Sequence, residues 1–293
     1  MGTCWIKHLR EEFTLSKCSP KPDIPQLMLR PQWRIHPVVW LGYRIFMGVY
    51  TLSWCVCSGV QYRSIKWFIF LSHLAYVMLT VYFNLALVNL ICYMTLGLKG
   101  STKQSTDTML EEKFNSNTAV VEVEASESSG SCRVALLPVS SALHSSLSVQ
   151  WILHNLINVH ALFVTIAFWS LEYQPGHTQL DSVNLNMHLV NSVLVLAELG
   201  LIAAPIHLLH VLYVQCFCTM YIVFTVIYWS AGGTNTTGKA YIYWVIDYQH
   251  RPGLAAGCNL VIDCIAMPTL QFLAWNLHLL RRCDHLSLCQ PQL

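Results

Sequence analysis

Charge is what this sequence has least of. Only 11% of its 293 residues are Asp, Glu, Lys or Arg, where a soluble chain carries about a quarter. The formal net charge is +2, so no large field of one sign exists to gather a nucleic acid, and no nucleic-acid partner is expected. A cleavable leader is also missing. Residues 1–37 are polar, with Lys7, Arg10, Glu11, Glu12, Lys17 and Lys21 among them, and no apolar core is followed by a small-residue cleavage site. Insertion therefore has to rely on the first spanning helix. Cysteine is plentiful at 12 residues, yet none falls in 61–66, 172–186 or 231–253. That excludes a disulfide-stapled domain in those stretches.

What the chain does have is long apolar runs. Hydrophobic residues make up 54% of it, and mean hydropathy is +0.45. Crossing the hydrocarbon takes roughly 20 mostly apolar residues in a helix. Such runs occupy about 38–60, 67–98, 151–171, 187–204, 208–230 and 254–280. The fourth and fifth are divided at Pro205, because the apolar stretch 187–230 is too long for one crossing. The expected fold is all-α, a polytopic membrane bundle of about six transmembrane helices.

Six spans divide the chain into a tail 1–37, helices one and two (38–98), a loop 99–148, helices three to six (149–280) and a tail 281–293. Lys7, Arg10, Lys17, Lys21, Arg30, Arg34, Lys99, Lys103, Lys113, Arg133, Arg281 and Arg282 then share one side, against Arg63, Lys66, Lys239 and Arg251 on the other. The positive-inside rule makes the richer side, with both termini, cytoplasmic. The plasma membrane is preferred to the endoplasmic reticulum. The 99–148 loop is rich in Ser, Thr and Glu, holds no sustained apolar stripe, and is read as mostly disordered. Cys283 beside Arg281 and Arg282 is a position for S-acylation or a silent thiol. Cys216 and Cys218 lack a matching pair, so no metal and no cofactor is assigned. Asn235-Thr236-Thr237 forms a glycosylation sequon on the outer side.

Polar residues inside the spans are the candidates for chemistry, since in lipid they face the bundle interior. His73, Tyr76, Thr80 and Asn84 lie along one stripe of span two, and His154, Asn158 and Thr165 along one of span three. His188, Asn191 and Glu198 follow in span four, Asn259 and Asp263 in span six, and Arg44 in span one. The intramembrane cluster is thus Arg44, His73, His154, Asn158, His188, Asn191, Glu198 and Asp263. It serves either as a polar cavity with a histidine acid/base or as ordinary interhelical hydrogen bonding. Arg44 is expected to pair with Glu198 or Asp263, because an unpaired charge there is costly. Gly253-x-x-x-Gly257 is either a helix-contact motif or a flexible start to span six.

Several blocks carry a family likeness: PQWRIHPVVWLGYR (31–44), KWFIFLSHLAY (66–76), HLVNSVLVLAEL (188–199), APIHLLH (204–210) and IVFTVIYWSAGGTNTTGKAYIYWVIDYQHRPG (222–253). They are collinear and cover nearly all of the chain outside 99–148. The sequence resembles the rolling stone family. That resemblance implies a multi-pass membrane protein implicated, in insects, in myoblast fusion. The chain departs from the family at His207 (Arg), Trp244 (Pro) and Tyr248 (Trp).

The family is more distantly similar to the androgen-induced membrane hydrolases of branched fatty-acid esters, which use a Thr nucleophile and a His. The His corresponds to His188, but the nucleophile position holds Ile69, which cannot attack an ester. Ser72 lies one turn on, about 4–5 Å along the helix, which puts it out of register with His188 unless the helix rotates. The expectation is a non-enzymatic protein of cell–cell adhesion or fusion, in contact with the bilayer and with a membrane-protein partner or a second copy of itself. The alternative is an intramembrane ester hydrolase using His188 and Ser72. Transport receives little support, as no inverted repeat or discontinuous helix pair is visible.

Overall fold

A computed structural model describes residues 9–114, 140–176 and 180–289, with side chains for all of these except 97–114 and 282–289. It is an all-α bundle. Helix α1 spans Pro37–Tyr62. Pro37 sits where a missing N–H costs nothing, and His36 accepts from the Val38 N–H at 3.3 Å. The helix ends at Arg63, which adopts a left-handed φ of 48°. A 3₁₀ turn, Ile65–Ile69, leads to α2, Leu71–Phe114. Helix α3 spans Ser141–Ala167, capped by Ser140, and runs into a π-helical turn at Phe168–Glu172. Asp181 caps the short α4, Ser182–Leu185, accepting from Asn184 N–H at 2.7 Å. A second π turn, Asn186–Val190, joins it to α5, Asn191–Leu201. Around Pro205 the chain is extended, then a 3₁₀ turn, Leu208–His210, starts α6, Val211–Ser230. Helix α7, Pro252–Val261, continues through a third π turn, Ile262–Ala266, into α8, Met267–Cys289.

Among the described residues, four stretches are long and apolar enough to cross a membrane: Leu71–Leu96, Ser141–Glu172, Leu208–Ser230 and Pro252–Arg281. The two remaining rods of the expected six, α1 and α4 with α5, are diluted by polar residues that point inward. Arg44, Thr51 and Ser58 are buried on one, and Asn186, Asn191, Ser192 and Glu198 on the other. Helix α3 is the centre of the bundle, with every residue from His154 to Ala161 buried. It packs against α2, α5, α6 and α8, and α2 packs against α1. Gly48 lets α1 approach α2 closely, since a Cβ there would sit 3.3 Å from Asn84 Oδ1. Helices α6 and α7 turn large apolar residues outward, among them Val223, Ile227 and Leu260, as a lipid-facing surface does.

At one end of the bundle, parts of the tail 1–37 and of the loop 99–148 are packed into the core. Met28, Leu29, Trp40, Leu143, Leu147 and Trp151 form one buried cluster with Ile202 and Ala204. Trp33 donates to Gly200 O, Trp40 to Leu29 O and Trp151 to Pro205 O. Helix α3 therefore begins at Ser141, inside the stretch read as disordered. Leu143, Leu147 and Trp151 recur at helical spacing and bury there. Helix α2 likewise continues to Phe114. Residues 115–139 lie outside the described residues, as do the side chains of Lys99, Lys103, Lys113, Arg282 and Cys283. Among the described residues, Gly253 and Gly257 have nothing within 4 Å of a Cβ, so no described helix sits against that motif.

Candidate functional site

The polar residues of the spans do not converge on one axis. They separate into a charged centre, a cavity and two isolated contacts.

At the centre, Arg44 Nη1 donates to Glu198 Oε1 at 2.7 Å, with both side chains almost fully buried. Of the two acids open to Arg44, Glu198 is the partner. Tyr82 donates to the same oxygen at 2.5 Å and Tyr43 to Oε2 at 2.8 Å. The Arg44 guanidinium lies 4.4 Å from the Trp40 ring centroid, a cation–π contact on the pair's inner side. The His154 ring sits 5.6 Å from that of Tyr82, and Asn158 donates to His154 O at 2.6 Å. Glu198 thus accepts three donors, and it is not among the residues that line the cavity described below. A carboxylate held this way is built for cohesion rather than for proton transfer to a substrate.

Amide bonds that residue type alone did not single out extend this core. Asn89 donates to Gln150, which donates to Met28 O. Gln271 donates to His207 O at 2.8 Å. Arg281, counted above as a cytoplasmic charge, is buried and donates to Leu199 O, Ile202 O and Ala204 O, closing the end of α5. Gln150 shares the His154–Asn158 face at four-residue spacing, which was a legible signal. Nothing in the sequence near Arg281 distinguishes it from a free surface charge.

Asn191 and Asp263 stand apart. Asn191 accepts from Thr165 at 3.0 Å, joining α5 to α3. Asp263 accepts from Thr219 at 3.0 Å, joining the third π turn to α6.

The half of the bundle away from the Trp40–Trp151 cluster holds a cavity of about 400 Å³, within the range of small-molecule sites. His73, His188 and Ser72 all line it. Ser72 and His188 thus face one space, His188 from the π turn Asn186–Val190. Among the described residues no hydrogen bond joins the two. His188 stacks on Phe168 with ring centroids 3.8 Å apart, and among the described residues its Nδ1 has no partner. His73 stacks on Trp67 at 4.7 Å, and its Nδ1 meets Trp67 O at 2.8 Å. In a neutral ring that bond places the proton on Nδ1 and leaves Nε2 an acceptor. Ile69 does not line the cavity. It packs with Ile242, Val245, Ile246 and Ala255, and its carbonyl accepts from Tyr221 at 2.8 Å.

The loop after α6 roofs the cavity. Lys66 Nζ donates to Thr234 Oγ1 and Asn235 O, and Trp244 to Leu171 O. Gly233 is obligatory there, since a Cβ would meet Tyr228 O at 2.4 Å. Tyr243 accepts from the Leu71 N–H at 2.9 Å, and burial pushes its phenol up to about 12, so it stays neutral. Among the described residues no group of His, Cys, Asp and Glu is arranged to hold a metal.

The family model described as "Protein rolling stone" matches residues 133–283, more than half of the chain. This chain belongs to the rolling stone family. Protein rolling stone of Drosophila melanogaster is 24% identical to it over 233 residues, covering 76% of this chain and 72% of that one. No solved structure matches. The region matched by the rolling stone model contains α3 to α7, and with them His154, His188 and Glu198. Arg44, Ser72 and His73 lie before it, so the charge pair and the cavity each join a residue inside the matched region to one outside it.

Proposed function

We propose that the protein crosses the plasma membrane six times and acts without catalysis in cell–cell adhesion or fusion, through a membrane-protein partner or a second copy of itself. The observation that carries the non-enzymatic part is Ile69. It occupies the nucleophile position of the related hydrolases, and it is buried among aliphatic side chains and is not among the residues that line the cavity. The six-pass topology is supported by how the rods alternate. Gln61 meets Asp181 and Trp244 meets Leu171 at one end, while the clusters around Trp40, Trp151 and Arg281 close the other.

Two experiments test this reading. Tags before Met1 and after Leu293, probed in unpermeabilised cells, are both protected; access to either from outside rules out the six-pass, inside–inside arrangement. Cells lacking the protein mix contents with neighbours less than cells carrying it. Equal mixing removes the adhesion or fusion role.

A second reading has a specific observation behind it. Ser72 and His188 share one cavity, as an intramembrane hydrolase of fatty esters requires. Fluorophosphonate labelling that disappears in Ser72→Ala decides for it; no labelling above background decides against it.

A further inference from the structure

All three π-helical turns open onto the cavity. The first supplies Phe168, Leu171 and Glu172 to its wall, the second Met187 and His188, and the third Ile262. A π turn breaks the regular hydrogen-bond ladder at a cost in stability and gathers at functional sites. Three in separate rods, all facing one space, are not explained by packing the bundle.

The wall chemistry defines what fits. The inner wall is apolar, with Leu71, Val164, Phe168 and Ile222. Its polar lining is neutral apart from two acids: the His73 ring with Nδ1 committed to Trp67 O, the His188 ring and the Ser72 hydroxyl stand with the amides of Gln61, Asn184 and Asn259. Among the described residues no Lys or Arg lines the cavity, while Glu172 and Asp181 do. A carboxylate or phosphate headgroup would meet acids and no cation. A headgroup that donates hydroxyl protons finds acceptors waiting.

We propose that this cavity binds an uncharged single-chain amphiphile, its alkyl body against Val164, Phe168 and Ile222 and its hydroxyl-bearing head at His73 and His188. The site goes beyond the adhesion reading and needs no bond to be cleaved. Its test therefore uses a ligand that cannot be hydrolysed.

The full-length protein in lipid nanodiscs is photolabelled with a monoalkylglycerol ether carrying a diazirine in the chain and a terminal alkyne. Labelled peptides are mapped by mass spectrometry. Label concentrates on the segments around 163–172 and 183–188 and is displaced by unlabelled monoalkylglycerol. Ala167→Trp, which fills the cavity, removes this label while the protein stays monodisperse. His188→Phe keeps the ring against Phe168 but removes the nitrogen, and it weakens competition by the unlabelled ether roughly fivefold, one hydrogen bond's worth. The wild-type map stands alone should Ala167→Trp fail to fold. Label spread equally over outward residues such as Val223 and Ile227 overturns the site. Equal labelling of the cavity by a fatty acid of the same chain, or stronger labelling by a photosterol, overturns the ligand class.

Discussion

Arg44 and Glu198 meet at 2.7 Å in the middle of the bundle, with side chains 1% and 0% exposed. The pair ties α1 to α5, the two rods that fall short of the apolar standard for a span. Each of these rods carries, among its buried polar residues, half of a contact that neutralises the other. Removing one partner strands a charge in a low-dielectric interior, at a cost of about 3–5 kcal/mol. Glu198→Ala and Arg44→Ala are each expected to lower thermal stability in detergent by that order. The double variant Arg44→Met/Glu198→Leu, which leaves no orphan charge, recovers much of the loss. Tyr82→Phe removes one charge-assisted bond and costs about 1.5–3 kcal/mol. Melting by intrinsic fluorescence reads all four. A double variant as unstable as the sum of its singles would show that the pair does not couple the two rods.

The apolar runs made the helical architecture legible, because lipid forces backbone groups to pair within each segment. The need of a buried cation for an acid made the Arg44 contact legible as a choice between Glu198 and Asp263. The cavity was not. Periodicity assigned His73 and His188 to stripes on regular helices, yet each faces the cavity from an irregular setting: His188 from a π turn, His73 beside a 3₁₀ turn. One added residue per turn leaves no trace in composition. Tyr221 and Tyr243, which fix the start of α2 from a helix and a loop far along the chain, carry no local pattern either. Tyr43 and Tyr82 escaped because a tyrosine in a span reads as a large apolar residue until its hydroxyl is seen to point at Glu198.

Acid is expected to loosen the contact of the N-terminal segment with the bundle. The Glu12 carboxylate accepts from Leu208 N–H at 2.9 Å and meets His207 Nδ1 at 3.1 Å. Burial pushes its pKa up, but the hydrogen bond and charge of His207 and the Leu208 N–H outweigh this and hold it below the ordinary 4.5. A group lowered in the folded state adds stability that is full above its unfolded value and is lost as pH falls through the folded one. Protection of the N-terminal segment from protease should therefore persist down to pH 4.5 and disappear below it. Glu12→Gln is expected to be as accessible at neutral pH as wild type is in acid, with little further change. Retained protection of wild type well below that point would mean the contact does not hold the segment.

The sequon at Asn235 is expected to be poorly glycosylated. Its Oδ1 accepts from Thr237 N–H, Thr237 Oγ1 and Lys239 N–H, and its carbonyl accepts from Lys66 Nζ at 2.9 Å. The asparagine is thus folded back on its own turn, close to the end of α6. Glycosidase treatment should leave mobility unchanged, as in Asn235→Gln. Lys66→Ala, which frees the loop, is expected to raise occupancy. A large shift in wild type, lost in Asn235→Gln, would place this loop further from the bilayer than the contacts allow.

The sharpest chemical prediction concerns position 69. If the non-enzymatic reading holds, Ile69→Thr does not create esterase activity. A hydroxyl at 69 enters the aliphatic contact with Ile242, Val245 and Ile246, behind the wall that Val245 and Ile246 give the cavity, and a general base needs an oxygen within about 3 Å. His188→Ala is expected to lower stability by about 1 kcal/mol through the lost stack on Phe168, with no change in ester hydrolysis above vector. Ser72 is the one cavity hydroxyl close enough in sequence to take the nucleophile's place, so Ser72→Ala is the decisive companion. Purified protein that hydrolyses a fatty ester, and loses that activity in both Ser72→Ala and His188→Ala while remaining folded, would make the cavity an active site. Hydrolysis unaffected by either substitution would trace to a contaminant and leave the non-enzymatic reading standing.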